Sequence, residues 1–313
     1  MKPALVVMRA IYEPALDALA RDFNVHRLWL QDDADAFLRA HGASTRVVVT
    51  TTPYGFAKQD FEHFPALELL ACFGPYYTLI DRSEAKARGV AVTHTPGSTA
   101  EPVADLALGM LIAVMRRLVE SDRFVRAGKW TAGAFPPGVE VRGKRLGVVG
   151  MGRIGREIAR LATAFGMRIA YHGPRRKDDV DYPYYADAAA LARDSDCLIV
   201  ACALTEATRG LVDANVLAAL GPQGYLVNIA RGPIVDEDAL IAALGNGTIA
   251  GAALDVFRDE PQVPAALRAA ENVVLAAHIG TSTQEVREAR FRMLLEDVQT
   301  WREGKPLRYP VPL

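Results

Sequence analysis

Short apolar runs rich in branched residues alternate with helical patterns along the chain: Ala4–Val7, Val47–Thr50, Leu67–Cys72, Ala91–Thr93, Leu146–Val149, Arg168–Tyr171, Cys197–Ala201, Tyr225–Ile229, Ile249–Leu254 and Val273–Ala276. This alternation predicts an α/β protein with parallel sheets. A boundary is expected near Thr95-Pro96-Gly97. After it, Pro102–Arg126 reads as one long helix with little polar face, of the kind that packs against another subunit or between domains. The loop Gly133–Gly143, with Pro136 and Pro137, then leads to a second α/β region from Arg145 to about Ser282. A last helix, roughly Thr283–Glu303, fits either region by its pattern.

At 313 residues, two domains are the better expectation. With 50% hydrophobic and 23% charged residues, the composition is that of a folded protein with substantial cores. A net charge of −1 gives no broad basic surface for nucleic acid. No apolar run approaches the ~18 residues of a membrane span, and the opening segment shows no long hydrophobic region or cleavage site. Cysteines 72, 197 and 202 form no C-x-x-C pair and read as buried apolar residues in a reducing compartment. The expectation is a cytoplasmic protein with no metal, no membrane and no nucleic-acid partner.

Gly150, Gly152 and Gly155 form G-x-G-x-x-G between an apolar strand and a helix. Glycines there allow a tight turn and close backbone approach to a pyrophosphate, while the helix start offers N–H groups and a positive dipole. The flanking strand and helix make this a dinucleotide site rather than a simple turn. The next strand ends in His172-Gly173-Pro174-Arg175-Arg176-Lys177, without the acidic residue that would accept bonds from ribose hydroxyls. Its cations suit a 2′-phosphate, so NADPH is expected in preference to NAD.

Three later segments carry polar residues among apolar ones: Asn228–Pro233 with Arg231, Leu254–Pro261 with Asp255 and Glu260, and Ala277–Gly280 with His278. In open α/β sheets ligands sit beyond the carboxyl ends of strands, so these segments can converge. Reducing a 2-oxo acid needs a cation for its oxygens, a proton donor, and a group that keeps the donor protonated. Arg231, His278 and Glu260 supply the three. Singly, His278 could serve as a core histidine and Arg231 as a structural ion-pair former.

On Val148–Gly155, Asn228–Asp236, Ala253–Pro261 and His278–Gly280 the sequence resembles the D-isomer-specific 2-hydroxyacid dehydrogenase family over most of its length. The Tyr171-His-Gly turn and Asp181–Tyr185 are most similar to its NADPH-dependent glyoxylate, hydroxypyruvate and hydroxyphenylpyruvate reductases. The resemblance implies two doubly wound parallel-sheet domains: a flavodoxin-like substrate domain from residues 1–98 and 283–313, with a Rossmann dinucleotide-binding domain, residues 99–282, inserted into it. It implies a homodimer held largely through Pro102–Arg126. Arg231 would orient the substrate, His278 would protonate the developing alkoxide, and Glu260 would pair with His278, favouring a proton donor. Asp255 would bind the nicotinamide carboxamide. Arg153, Ile154, His172, Ala203, Leu204, Thr208, Ile229 and Gly280 would line the cofactor with the glycines, Arg175 and Arg176. Formate and phosphite dehydrogenases share the fold, but the formate enzymes have Gln at the Glu260 position. Corepressors of the same fold, which bind NAD(H) and partner peptides, keep the same triad. The chain has no long disordered tail or basic arm to favour them.

Two departures stand out. The family usually has Pro where Ala203 and Ala277 stand. Its carboxylate-holding loop is here Cys72–Asp81, lengthened by two, with Tyr76 in place of the first Asp and with Pro75, which has no N–H. Phe73 and Gly74 are expected to keep backbone N–H groups for a carboxylate. Tyr54, Tyr76 and Tyr77 would give an amphipathic rim, so that glyoxylate is not the preferred substrate.

Overall fold

A computed structural model describes residues 2–52, 54–97 and 99–313, which divide into two compact units. One comprises residues up to 98 together with Thr283–Leu313; the other is Thr99–Ser282. Pro53, beside Tyr54, and Ser98, at the expected boundary, lie outside the described residues.

The first unit opens with β1 (Ala4–Val7), α1 (Glu13–Leu19) and β2 (Asn24–Arg27). It continues through α2 (Ala34–His41), β3 (Val47–Thr51), α3 (Lys58–Glu62), β4 (Leu69–Phe73), α4 (Arg82–Ala87) and β5 (Ala91–His94). The strands are all parallel, in the order β2-β1-β3-β4-β5. Leu5, Val7, Val47, Val49, Leu69 and Ala71 face one core, and Val6, Val48, Leu70 and Cys72 the other. Burial on both faces is why these strands read as continuous apolar runs. β2, Asn-Val-His-Arg, has no such run because none of its residues is buried.

The second unit departs from the expected single helix at its start. Instead of one helix over 102–126 there are two, α5 (Ala100–Met115) and α6 (Leu118–Arg126). Arg117 between them takes a left-handed conformation, φ +55°. The Met115 carbonyl, which would continue the helix, accepts Val139 N–H at 2.7 Å instead. α5 is buried along much of its length, whereas α6 has no buried residue. Then follow β6 (Arg145–Val149), α7 (Arg153–Ala164), β7 (Arg168–His172), β8 (Tyr184–Tyr185), α8 (Ala188–Arg193), β9 (Cys197–Val200) and α9 (Ala214–Leu220). β10 (Tyr225–Asn228), α10 (Glu237–Gly245), β11 (Gly251–Leu254), α11 (Ala265–Ala269) and β12 (Val273–Leu275) complete it.

Its sheet is parallel throughout, in the order β12-β11-β10-β9-β6-β7-β8. The order reverses between β6 and β9, the topological switch point at which such sheets bind ligands. α5 and α7 cover one face of this sheet, and α8, α9 and α10 contribute to the core on the other. The chain then returns to the first unit with α12 (Gln284–Arg302), whose Leu294 and Val298 pack with Leu69 and Ala71 of β4. Among the described residues no helix is long and apolar enough to cross a membrane.

Candidate active site

Because the strands of the second unit are parallel, the segments after β6, β7, β9, β10, β11 and β12 emerge at one edge of its sheet. After β6 comes the glycine turn. Gly150 has φ +104°, and a Cβ there would lie 2.6 Å from the Cys202 backbone. A Cβ on Gly155 would run into the Gly150 carbonyl oxygen, so only glycine lets α7 start this close to β6. Gly152 instead faces open space. It caps α7 without a side-chain acceptor, leaving the N–H groups at the helix start for an anion. Arg153 is exposed, and Ile154 is half-buried against the core. A turn closed on the protein side and open on the other fits a dinucleotide pyrophosphate.

Two tyrosines set the turn after β7. The Tyr171 hydroxyl accepts Lys177 N–H at 2.8 Å, and the Tyr184 hydroxyl donates to the Gly173 carbonyl at 3.1 Å. His172 Nδ1 lies 3.0 Å from the Tyr185 carbonyl, leaving Nε2 as its outward atom. Arg175 and Arg176 are exposed, and neither is in an ion pair among the described residues. Arg156 takes up Asp179 at 2.9 Å, which removes a nearby competitor for those cations.

Several residues expected to line a cofactor have their polar groups engaged within the chain. The Thr208 hydroxyl donates to the Ala203 carbonyl at 2.7 Å and accepts Thr205 N–H at 2.7 Å, stapling the turn after β9. Ala203 is exposed there and Leu204 half-buried. The Ile229 side chain belongs to the core. Gly280 donates its N–H to Asp255 Oδ2 at 2.9 Å, and Asp255 Oδ1 accepts Ile279 N–H at 2.7 Å. Asp255 is thus first a brace for the His278 loop. Burial pushes its carboxyl above the ordinary value, against the opposing pull of those two N–H donors.

Arg231 stands after β10 in a turn shaped by Asn228, whose amide donates to the Arg231 carbonyl at 3.1 Å and whose oxygen accepts Ala230 N–H at 3.1 Å. Arg231 Nη1 donates to the Ala230 carbonyl at 2.6 Å, and the residue is exposed. The following Gly232 has no Cβ because the Phe257 carbonyl occupies that space. This close approach seats the Glu260 segment against the Arg231 turn. Glu260 Oε1 accepts Phe257 N–H at 3.0 Å, and its Oε2 lies 2.7 Å from His278 Nδ1. His278 has φ +53°, and its backbone N–H donates to the Asp255 carbonyl at 2.9 Å. With Nδ1 turned to Glu260, Nε2 is the atom left to hand over a proton.

In the first unit, Gly74 packs where a Cβ would strike the Thr52 hydroxyl. Contrary to expectation its N–H is spent, donating to the Cys72 carbonyl at 2.9 Å. Phe73 ends β4 half-buried. Tyr77 turns toward the core, its ring edge-on to His94 at 5.0 Å and under Arg82 at 5.6 Å. Tyr76 is 47% exposed and Tyr54 63%, the latter beneath Arg9 at 4.7 Å. Burial pushes the Cys72 and Cys202 thiols up to about 11, too high for nucleophiles at neutral pH.

Residues 108–280 match the family described as D-isomer specific 2-hydroxyacid dehydrogenase, NAD binding domain. The chain belongs to the D-isomer-specific 2-hydroxyacid dehydrogenase family. A glyoxylate/hydroxypyruvate reductase of Arabidopsis thaliana is 44% identical over 94% of both chains. Among solved structures, the 2-hydroxyacid dehydrogenase of Ketogulonicigenium vulgare Y25 is 38% identical with a TM-score of 0.92, over 100% of this chain and 99% of the other. An NADPH-dependent glyoxylate/hydroxypyruvate reductase of Sinorhizobium meliloti, in complex with NADP and malonate, is 36% identical with a TM-score of 0.82, over 99% and 97%.

Within this family member, pattern reading missed the supports. Asn228, Gly232 and Glu237, which accepts Arg258 N–H at 3.1 Å, shape the loops that carry Arg231 and Glu260. Asn228 ends β10, Gly232 follows Arg231 and Glu237 opens α10, and residue type alone marks none of them as a support.

Proposed function

We propose that this protein reduces 2-oxo acids to (D)-2-hydroxy acids, with NADPH preferred over NADH and Arg231, Glu260 and His278 at the reacting centre. The observation that carries the reading is the 2.7 Å His278–Glu260 pair, at the same sheet edge as the open glycine turn. The nicotinamide, when bound, supplies a hydride to the substrate's keto carbon. The remaining demands fall on side chains. His278 Nε2 gives its proton to the oxygen that gains charge, Glu260 holds the imidazole by Nδ1, and Arg231 offers a forked cation to the acid. Arg175 and Arg176 would take the 2′-phosphate, a role supported by their exposure beside the β7 strand end.

Residues 1–98 and 283–313 serve as the substrate domain in this reading, with Tyr54, Phe73, Gly74 and Tyr76 as candidate substrate contacts and Tyr77 behind them. A cytoplasmic homodimer completes it. Leu118, Val125 and Trp130 are exposed apolar side chains that a second copy would cover, and all three cysteines are free.

The test is steady-state NADPH and NADH consumption with glyoxylate, hydroxypyruvate and aryl 2-oxo acids, for the wild type and an Arg175→Ala/Arg176→Ala variant. The expected result is turnover with a roughly ten- to hundredfold NADPH advantage that the variant loses. No turnover with any 2-oxo acid would refute the activity, and equal efficiency with both cofactors would refute the preference.

A further inference from the structure

β4 ends at Phe73, and the first two residues of the loop after it have no backbone N–H to offer an anion. Gly74 gives its N–H to Cys72, and Pro75 has none. The Tyr76 carbonyl, an acceptor, is itself met by the Thr52 hydroxyl at 3.3 Å and the Cys72 thiol at 3.5 Å. A carboxylate arriving beside Gly74 and Pro75 would draw a donor from elsewhere.

α12 carries one. Helical spacing sets Val286, Arg290, Leu294 and Val298 on one stripe, and the three apolar members are buried. Leu294 and Val298 lie over the middle of the sheet, against Leu69 and Ala71. Arg290, one turn nearer the helix start, interacts electrostatically with Cys72 and Tyr76 at the carboxyl end of β4. Its neighbours three and four residues away are Val286, Arg287, Met293 and Leu294, none acidic. No acidic side chain pairs with it among the described residues. Burial holds the guanidinium below its ordinary value, so the cation stands where its charge is disfavoured and the chain supplies no anion to offset it.

We propose that Arg290 is a specificity-determining cation that takes the carboxylate of the 2-oxo acid, replacing the backbone donors that Gly74 and Pro75 do not provide. The assignment rests on the proposed function. A guanidinium suits the task because its parallel N–H groups match a carboxylate's two oxygens, which an ammonium cannot do. It also explains why an arginine occupies an otherwise apolar stripe.

The experiment compares the wild type with Arg290→Met, Arg290→Gln and Arg290→Lys. The readouts are melting temperature, NADPH affinity, calorimetric binding of oxamate to the NADPH-loaded protein, and kinetics on glyoxylate and aryl 2-oxo acids with and without a second acid group. Arg290→Met and Arg290→Gln should keep NADPH affinity and melting temperature. Oxamate should bind roughly ten- to hundredfold more weakly, and KM should rise by a similar factor for every substrate while kcat changes little. Arg290→Lys should fall between. Should the Met variant not fold, the Gln variant carries the same comparison. Unchanged oxamate affinity and KM would overturn the assignment, as would a loss confined to substrates with a second acid group. A lowered melting temperature with unchanged KM would show a structural arginine instead. Oxamate binding needs no turnover, so a wild type that binds it through Arg290 yet reduces no 2-oxo acid would refute the activity and leave the anion site standing. Turnover with a KM indifferent to Arg290 would refute the anion site alone.

Discussion

Three successive backbone N–H groups, those of His278, Ile279 and Gly280, donate to Asp255. They hold His278 at φ +53°, a left-handed conformation that costs an L-residue roughly 1–2 kcal/mol. Asn at position 255 would offer one oxygen to two donors and turn an N–H₂ against the other. Asp255→Asn should therefore loosen the loop and lower kcat more than it weakens NADPH binding. The pH dependence has a definite sign. Asp255 is raised in the folded state, so its ionised form is the costly one, and its contribution to stability improves as pH falls through its folded value toward the ordinary one. Between about pH 7 and pH 4 the wild type should gain melting temperature relative to Asp255→Asn. A constant difference across that range would contradict the account. Arg231, Glu260 and His278 stood out in the sequence as residue types after strands that suit the proposed reaction, and the structure pairs two of them, Glu260 with His278 at 2.7 Å. The bracing by Asp255 was not, since it depends on loop geometry. Arg290 was invisible beside Phe73–Tyr77 because more than two hundred residues of chain separate them.

At the scale of elements, the apolar runs marked ten of the twelve strands because those strands are buried on at least one face. β2 and β8 sit at sheet edges, are short and partly polar, and left no run. The predicted single helix over 102–126 failed at Arg117 for a tertiary reason: Val139 N–H competes for the Met115 carbonyl. The glycine turn was legible as a motif, but its three glycines differ in function. Gly155→Ala would drive a methyl into the Gly150 carbonyl and push α7 from β6, costing about 1–3 kcal/mol of stability as well as cofactor affinity. Gly152→Ala meets open space and should leave stability within about 0.5 kcal/mol while weakening NADPH binding roughly tenfold. Thermal melts and NADPH titrations of the two variants check this. Equal stability losses would mean that α7 is not held by the Gly150–Gly155 contact.

The whole chain comprises two parallel α/β units, one of them built from both ends of the sequence. The periodicity could not assign the last helix to a unit, because its pattern suits any sheet face. The packing of Leu294 and Val298 on β4 places it. Leu118, Val125 and Trp130 are 51%, 49% and 67% exposed, on a segment with no buried residue of its own. Standard interfaces bury about 1,600 Å² in total, and exposed apolar side chains grouped in this way would form part of one. Sedimentation should give a dimer for the wild type, and Val125→Asp with Trp130→Asp should shift it toward monomer with an unchanged circular-dichroism spectrum. A wild-type monomer would remove the dimer from the account.

The most direct test of the reductase assignment is a paired measurement on the wild type and His278→Ala: NADPH affinity, and the rate of NADPH loss with the best 2-oxo acid. Removing a positioned proton donor should lower kcat by ~10²–10⁴-fold, with folding and NADPH affinity unchanged, because the role proposed for His278 Nε2 is on the substrate alone. Near-normal turnover by His278→Ala would contradict the account.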